Sequence, residues 1–202
     1  MKIDLKRELD GYAARRGEFE LLTIDPRRYL MLDGSGDPNR APRYEQVLAT
    51  IFPVAYALKF LSKNELGRDY VVPPLEGLWW AEDMTTFLTR EKSRWSWTML
   101  SLVPDWIDDA LVDTARATAA GKGAPLVDEL RVETLDEGLC VQTLHVGPYD
   151  DEGPVLQRMH TEFIADAGLS LTGRHHEIYL SDPRRTDPSR LRTILRQPVT
   201  DA

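Results

Sequence analysis

A chain of 202 residues with 42% hydrophobic content is long enough to bury a core without covalent staples, and its single cysteine, Cys140, excludes an intramolecular disulfide and a cysteine-rich zinc site. The formal net charge of -8 argues against a phosphate-binding surface, and no helix-turn-helix pattern opens the chain, so nucleic acid is not expected as a direct partner. No run approaches the ~20 apolar residues of a membrane span and the mixed-charge start lacks an apolar signal core, so a cytoplasmic protein with no membrane partner is expected.

Residues 1–18 are charged and weakly periodic, and read as a short leading helix or arm ending near Gly17 with little functional content. Glu18 to Gly34 alternates about Leu21, Ile24 and Leu30, with Pro26 breaking the run, which predicts strand. The following Gly34-Ser-Gly36-Asp-Pro38 is a turn; it lacks the rest of a dinucleotide fingerprint and the Walker lysine. Arg43 to Leu66 places Tyr44, Val47, Leu48, Ile51, Ala55, Leu58 and Leu61 on one helical stripe stopped by Gly67, with a kink or local break expected at Pro53. Glu76–Ala81 and Trp95–Val103 read as two strands joined by a loop of about ten residues. Pro104 suits the first turn of a helix that buries Trp106, Ile107, Ala110, Leu111 and Thr114 before Gly121-Lys-Gly123 ends it.

From Ala124 the plan repeats. A long strand is predicted from about Leu130 to Val146, then a Gly147-Pro148 turn, then a helix from Asp151 with Val155, Met159, Phe163 and Ala167 on one stripe, and after Gly168 two further strands. Strand, helix, strand, strand thus occurs twice, which predicts an α+β fold of two βαββ units, about 19–103 and 124–200, within one domain spanning 1–202.

The last strands carry the chemistry. At a period of two, His175, Glu177, Tyr179 and Ser181 share one face of a strand, while His176, Ile178 and Leu180 share the other. Asp182-Pro183 stops this strand, Asp187-Pro188-Ser189 turns the chain, and Leu191 to Val199 returns. The stretch His-Glu177-Ile-Tyr-Leu-Ser-Asp-Pro-Arg-Arg-Thr, followed by Thr-Ile-Leu-Arg-Gln-Pro198, resembles the closing hairpin of the gyrase-inhibitor-like (GyrI-like) small-molecule-binding proteins. Glu137-Gly-Leu-Cys-Val-Gln-Thr-Leu-His-Val-Gly-Pro-Tyr149 matches the preceding strand and turn. A looser likeness runs through Lys59-Phe60, Pro74-Leu75-Glu76-Gly77-Leu78-Trp79-Trp80 and Trp95-Ser-Trp97. This resemblance implies a GyrI-like, SHS2-type pseudo-twofold arrangement of the two units with a ligand cleft between them.

Glu177 is the leading candidate residue, since a carboxylate in a strand otherwise suited to burial is costly without a purpose. It could hold a cationic ligand or act as a general base on water, and the bland alternative is a solvated residue on an edge strand. The resemblance places it in the pocket floor. Tyr179 lies on the same face roughly 7 Å along, within reach of the same ligand; the alternative is a core phenol. Trp79, Trp80, Trp95 and Trp97 concentrate four of the five tryptophans in two strands and are candidate aromatic walls, although any one could simply fill the core. His175 on the Glu177 face, His145, and Tyr149 after the Gly-Pro turn complete the candidate ligand-binding set. The four histidines have no metal-ligand spacing, so neither metal nor cofactor is expected. Ser181 lacks a nucleophile elbow.

Two functions are expected from this site. One is capture of aromatic, cationic or electrophilic small molecules, including drugs. The other, implied by the resemblance, is hydrolysis of reactive cyclopropane-bearing natural products as detoxification, with Glu177 and Tyr179 as the catalytic pair. A protein-directed alternative is binding to DNA gyrase, as the family's namesake does.

Overall fold

In the computed structural model the chain divides into two compact units, the first made of Met1–Glu8, Arg27–Pro73 and Ala81–Leu135, the second of Leu9–Pro26, Pro74–Trp80 and Asp136–Ala202. The structure describes residues 2–83, 86, 89 and 91–201; Met84, Thr85, Phe87, Leu88 and Arg90, in the loop expected between the two tryptophan strands, lie outside the described residues. The α+β class is as the sequence predicts. The units are not contiguous in sequence, however, because strands adjacent in sequence are dealt to different units.

In the first unit β2 (Arg27–Ser35) is flanked on both sides by antiparallel partners, β4 (Ser96–Leu102) and β5 (Arg131–Leu135). Helix α2 (Pro42–Glu65) packs on β2 and on α3 (Asp109–Ala120), and α1 (Leu5–Glu8) opens the chain. The expected apolar stripe is present in α2, where Val47, Ile51, Val54, Ala55 and Leu58 are buried. The helix continues through Pro53 without a break. Its end is tied by Ser62, whose hydroxyl donates to Arg68 O and accepts from Trp106 Nε1.

Two boundaries differ from the sequence reading. The helix expected from Pro104 begins at Asp109, because the Asp108 carboxylate accepts from Leu111 N and caps it; Trp106 and Ile107 precede the helix, and Thr114 faces solvent. The single strand expected from about Leu130 to Val146 is two, β5 and β6 (Gly138–Val146), separated by Asp136-Glu137. Gly138 takes φ 60 there, a left-handed conformation at the break between one strand of the first unit and another of the second.

The second unit orders its strands β1 (Glu20–Ile24), β6, β9 (Arg192–Asp201), β8 (His175–Tyr179), β3 (Glu76–Trp80), all neighbours antiparallel, with β7 (Leu169–Leu171) also on β9. A helical segment crosses one face: α4 (Gly153–Arg158), a π-helical turn over Met159–Phe163, and α5 (Ile164–Asp166). Met159 and Ile164 from this segment close a buried cluster with Val141, Leu195 and Val199 of the sheet. The predicted hairpin is present as β8 and β9. Asp187 caps its turn by accepting from Ser189 N, and Ser181 Oγ accepts from Arg192 N at the hairpin mouth, which gives that serine a structural role. Among the described residues no helix is long and apolar enough to cross a membrane.

Candidate ligand-binding and acid-base site

Register decides what meets on the sheet of the second unit. Glu177 stands opposite Leu195 on β9 and Gly77 on β3, His175 opposite Trp79, and Tyr179 opposite Thr193, which has His145 on its far side. Directly opposed residues share a face, so Trp79, His145, His175, Glu177, Tyr179 and Thr193 project to one side. Gly77 contributes no side chain on the β3 flank of Glu177.

The contacts run in one chain. Trp79 Nε1 donates to Tyr179 Oη at 2.9 Å, and Tyr179 Oη donates to Glu177 Oε2 at 2.7 Å. The second carboxylate oxygen, Oε1, lies 3.5 Å from His175 Nε2, and the Glu177 side chain keeps 13% of its surface exposed. The Tyr149 ring meets Tyr179 edge-on at 5.7 Å. Behind His175 stands His160, from the π-helical turn, with ring centroids 6.3 Å apart. Burial, and then the neighbouring His175, lowers the His160 pKa to about 4, so His160 is neutral at ordinary pH. Tyr179 therefore commits one Glu177 oxygen, while the other faces an imidazole at a distance too long for a normal hydrogen bond.

The opposite face of β8 is built differently. His176 is fully buried, with Nδ1 at 2.9 Å from Glu137 Oε1 and Nε2 at 3.0 Å from Glu76 Oε2, the latter a charge contact off the hydrogen-bond direction. Arg196 Nη1 donates to Glu137 Oε2 at 2.9 Å and Nη2 to Gly11 O at 2.7 Å, and Gln142 lies alongside; Tyr12 donates to Glu76 Oε1. Burial by itself disfavours the imidazolium, but Glu137 and then Glu76 reverse that and push His176 up to about 9. Burial likewise works against the Glu137 carboxylate, yet His176 and Arg196 hold it down at about 2. Two carboxylates thus meet two cations, and the group is neutral as a whole.

The remaining candidates divide. Trp80 points to the face opposite Trp79, and its ring is covered by the Arg174 guanidinium at 3.5 Å. His145 is buried and uses Nε2 to donate to Pro148 O at 3.0 Å, which fixes its tautomer and steadies the Gly-Pro turn. Trp95 and Trp97 belong to the first unit. Trp97 is fully buried, donates to Gly36 O, meets Tyr44 edge-on, and lies across Gly34, where an added Cβ would come within 2.0 Å of its ring. Trp95 donates to Thr86 O.

Sequence reasoning passed over His160, Thr193 and the Glu76–His176–Glu137–Arg196 group, and it gave the N-terminal arm little content although Gly11 and Tyr12 complete that group. The available signals were charged residues inside otherwise apolar strands: Glu76 before Gly-Leu-Trp-Trp and Arg196 after Ile194-Leu195. Among the described residues no set of three or more His, Cys, Asp or Glu is arranged to hold a metal ion.

Comparison with known proteins adds the following. The GyrI-like small molecule binding domain matches residues 17–200. Among solved structures, an uncharacterized conserved protein from Listeria innocua is 35% identical with a TM-score of 0.89, over 98% of this chain and 100% of that one. Two structures described as hydrolases from Listeria innocua are each 33% identical and covered over 100% of their own length; their TM-scores are 0.86 and 0.82, over 99% and 98% of this chain. The C-terminal domain of EcmrR, at 13% identity and TM-score 0.57 over 92% of this chain and 98% of that domain, shares the fold. No protein of curated function matches the sequence significantly.

Proposed function

Because the chain belongs to the GyrI-like small-molecule-binding family, we propose that the sheet face bearing Glu177 and Tyr179 binds an aromatic electrophile and adds water to it, the substrate class being strained cyclopropane-bearing, alkylating natural products. The observation that carries the reading is the Tyr179 Oη to Glu177 Oε2 hydrogen bond of 2.7 Å, which joins a partly exposed carboxylate to a phenol that can pass a proton on. Similarity to two proteins described as hydrolases supports the same reaction class.

The step balances as one water added. Glu177 takes a proton from water as its oxygen bonds to the cyclopropane methylene carbon; the carbon–carbon bond to that methylene breaks, and its electron pair moves into a conjugated carbonyl, which becomes a phenolate. Tyr179 gives its proton to that oxygen and is reprotonated by Glu177. Trp79, hydrogen-bonded to Tyr179, fixes the phenol.

Incubation with a spirocyclopropyl cyclohexadienone, followed by mass spectrometry, is expected to give the hydroxyethyl phenol. Glu177→Gln keeps shape but removes the base, so kcat is expected to fall by ~10²–10⁴-fold while tryptophan fluorescence still reports binding. Fluorescence change without product from the unaltered protein would instead make this a binding domain for drugs and similar ligands.

A further inference from the structure

The hydrogen-bonding ledger around Glu177 does not close. Both ring nitrogens of His175 are buried and make no hydrogen bond, and the same holds for His160 Nε2 and Thr193 Oγ1. Buried polar atoms are nearly always paired, and sets of orphans on one face mark a place where a small polar molecule sits. One of them adjoins the reacting carboxylate: His175 Nε2 lies 3.5 Å from Glu177 Oε1, a spacing at which one water oxygen touches both at ordinary hydrogen-bond lengths.

We infer that the attacking water is held jointly by Glu177 Oε1 and His175 Nε2, which makes His175 a further catalytic residue of the reaction proposed above, on which this inference rests. In its neutral form with the proton on Nδ1, His175 accepts one hydrogen of the water while Glu177 accepts, and then removes, the other. Two acceptors converging on one water raise the electron density on its oxygen and point its lone pair away from the sheet. The proton follows the route already given, to Glu177 and through Tyr179 to the product oxygen, so His175 ends each cycle as it began. Protonated, His175 would donate to Glu177 instead, and both partners of the water would be lost.

Among the described residues, the titratable groups on the His175 side are Glu177 and Tyr179 on its own strand and His160 from the helical segment, with Tyr149 beyond Tyr179; β3 brings Trp79 and Gly77, and β9 brings Leu195 and Thr193. His160 is itself neutral, so it neither repels nor shares a charge with its neighbour. The π-helical turn matters here: an inserted residue shifts the helix face, and such turns are frequent at functional sites because they re-aim a side chain, here His160 toward the sheet.

The test follows hydrolysis of the spirocyclopropyl cyclohexadienone by the full chain across pH 5 to 9. His175→Gln keeps an acceptor near the water but cannot titrate: the acid limb of kcat should disappear while KM stays within about twofold. His175→Leu removes the acceptor, and kcat should fall about 10–100-fold, the range for one lost hydrogen bond to a charged group. Circular dichroism establishes that each variant is folded, and the Gln variant carries the test if Leu is not. Turnover by the unaltered protein with an acid limb that His175→Gln leaves in place overturns the role of His175 alone. Absence of turnover by the unaltered protein overturns the hydrolytic reading, and this inference with it.

Discussion

The two faces of β8 carry adjacent histidines in opposite circumstances. His176 faces a group in which Glu76, Glu137 and Arg196 meet charge with charge, whereas His175 faces a single carboxylate that keeps one oxygen in reserve. The difference shows that burial does not decide what a polar residue does; the balance of charge around it does. A charge-matched group fixes the strand, and the lone carboxylate on the other side of the same strand is the one we assign to a ligand.

The comparison is most sharply broken at Arg196. Arg196→Met leaves Glu137 buried with His176 as its remaining cation, and a loss of about 3–5 kcal/mol in unfolding free energy is expected by urea titration, as for other severed buried pairs. The pH dependence comes next. Because His176 is raised from 6.5 to about 9, its stabilisation is complete below 6.5 and is lost as pH rises through about 9. Glu137, lowered from 4.5 to about 2, stabilises fully above 4.5 and loses that contribution as pH falls toward 2. Denaturation midpoints should therefore decline between pH 6.5 and 9.5, and His176→Gln should flatten that decline. Tyr12→Phe removes one donor from Glu76 and should cost about 1–3 kcal/mol in the same titration. On the reactive face, Glu177→Gln should change stability by less than about 1 kcal/mol, since its partners are a neutral hydroxyl and an imidazole beyond hydrogen-bond length. A cost for Glu177→Gln equal to that of Arg196→Met would erase the distinction between the faces.

Much of this contrast could be read from the chain. The alternation of His175, Glu177 and Tyr179 against His176 and Ile178 follows from the two-residue period, and the hairpin followed from Asp-Pro and Asp-Pro-Ser. What could not be read were partners far apart in sequence. Glu76 and His176 are joined by the pairing of β3 with β8, and Arg196 reaches Gly11 across nearly the whole chain. Local periodicity carries no record of such closures. It also carries none of the π-helical turn that brings His160 to His175, since Met159 and Phe163 look like an ordinary apolar stripe. The strand break at Asp136-Glu137-Gly138 was a legible turn, outweighed by the apolar residues on either side of it.

The discontinuous make-up of the units bears on how the protein emerges from the ribosome. The first unit has all its parts once Leu135 is made, but β1 and β3 belong to the second, and their partners within that unit, β6 and β8, lie beyond that point. At ~5–20 residues per second, synthesis of Asp136–Ala202 takes roughly 3–13 s, during which β1 waits without β6 and β3 without β8. A waiting strand is a hazard for pairing with another nascent chain, and Glu-Gly-Leu-Trp-Trp is apolar enough to attract one. Glu76 then has a duty before its cationic partner exists: a charge at the head of that strand discourages aggregation, and it is matched only when His176 arrives on β8.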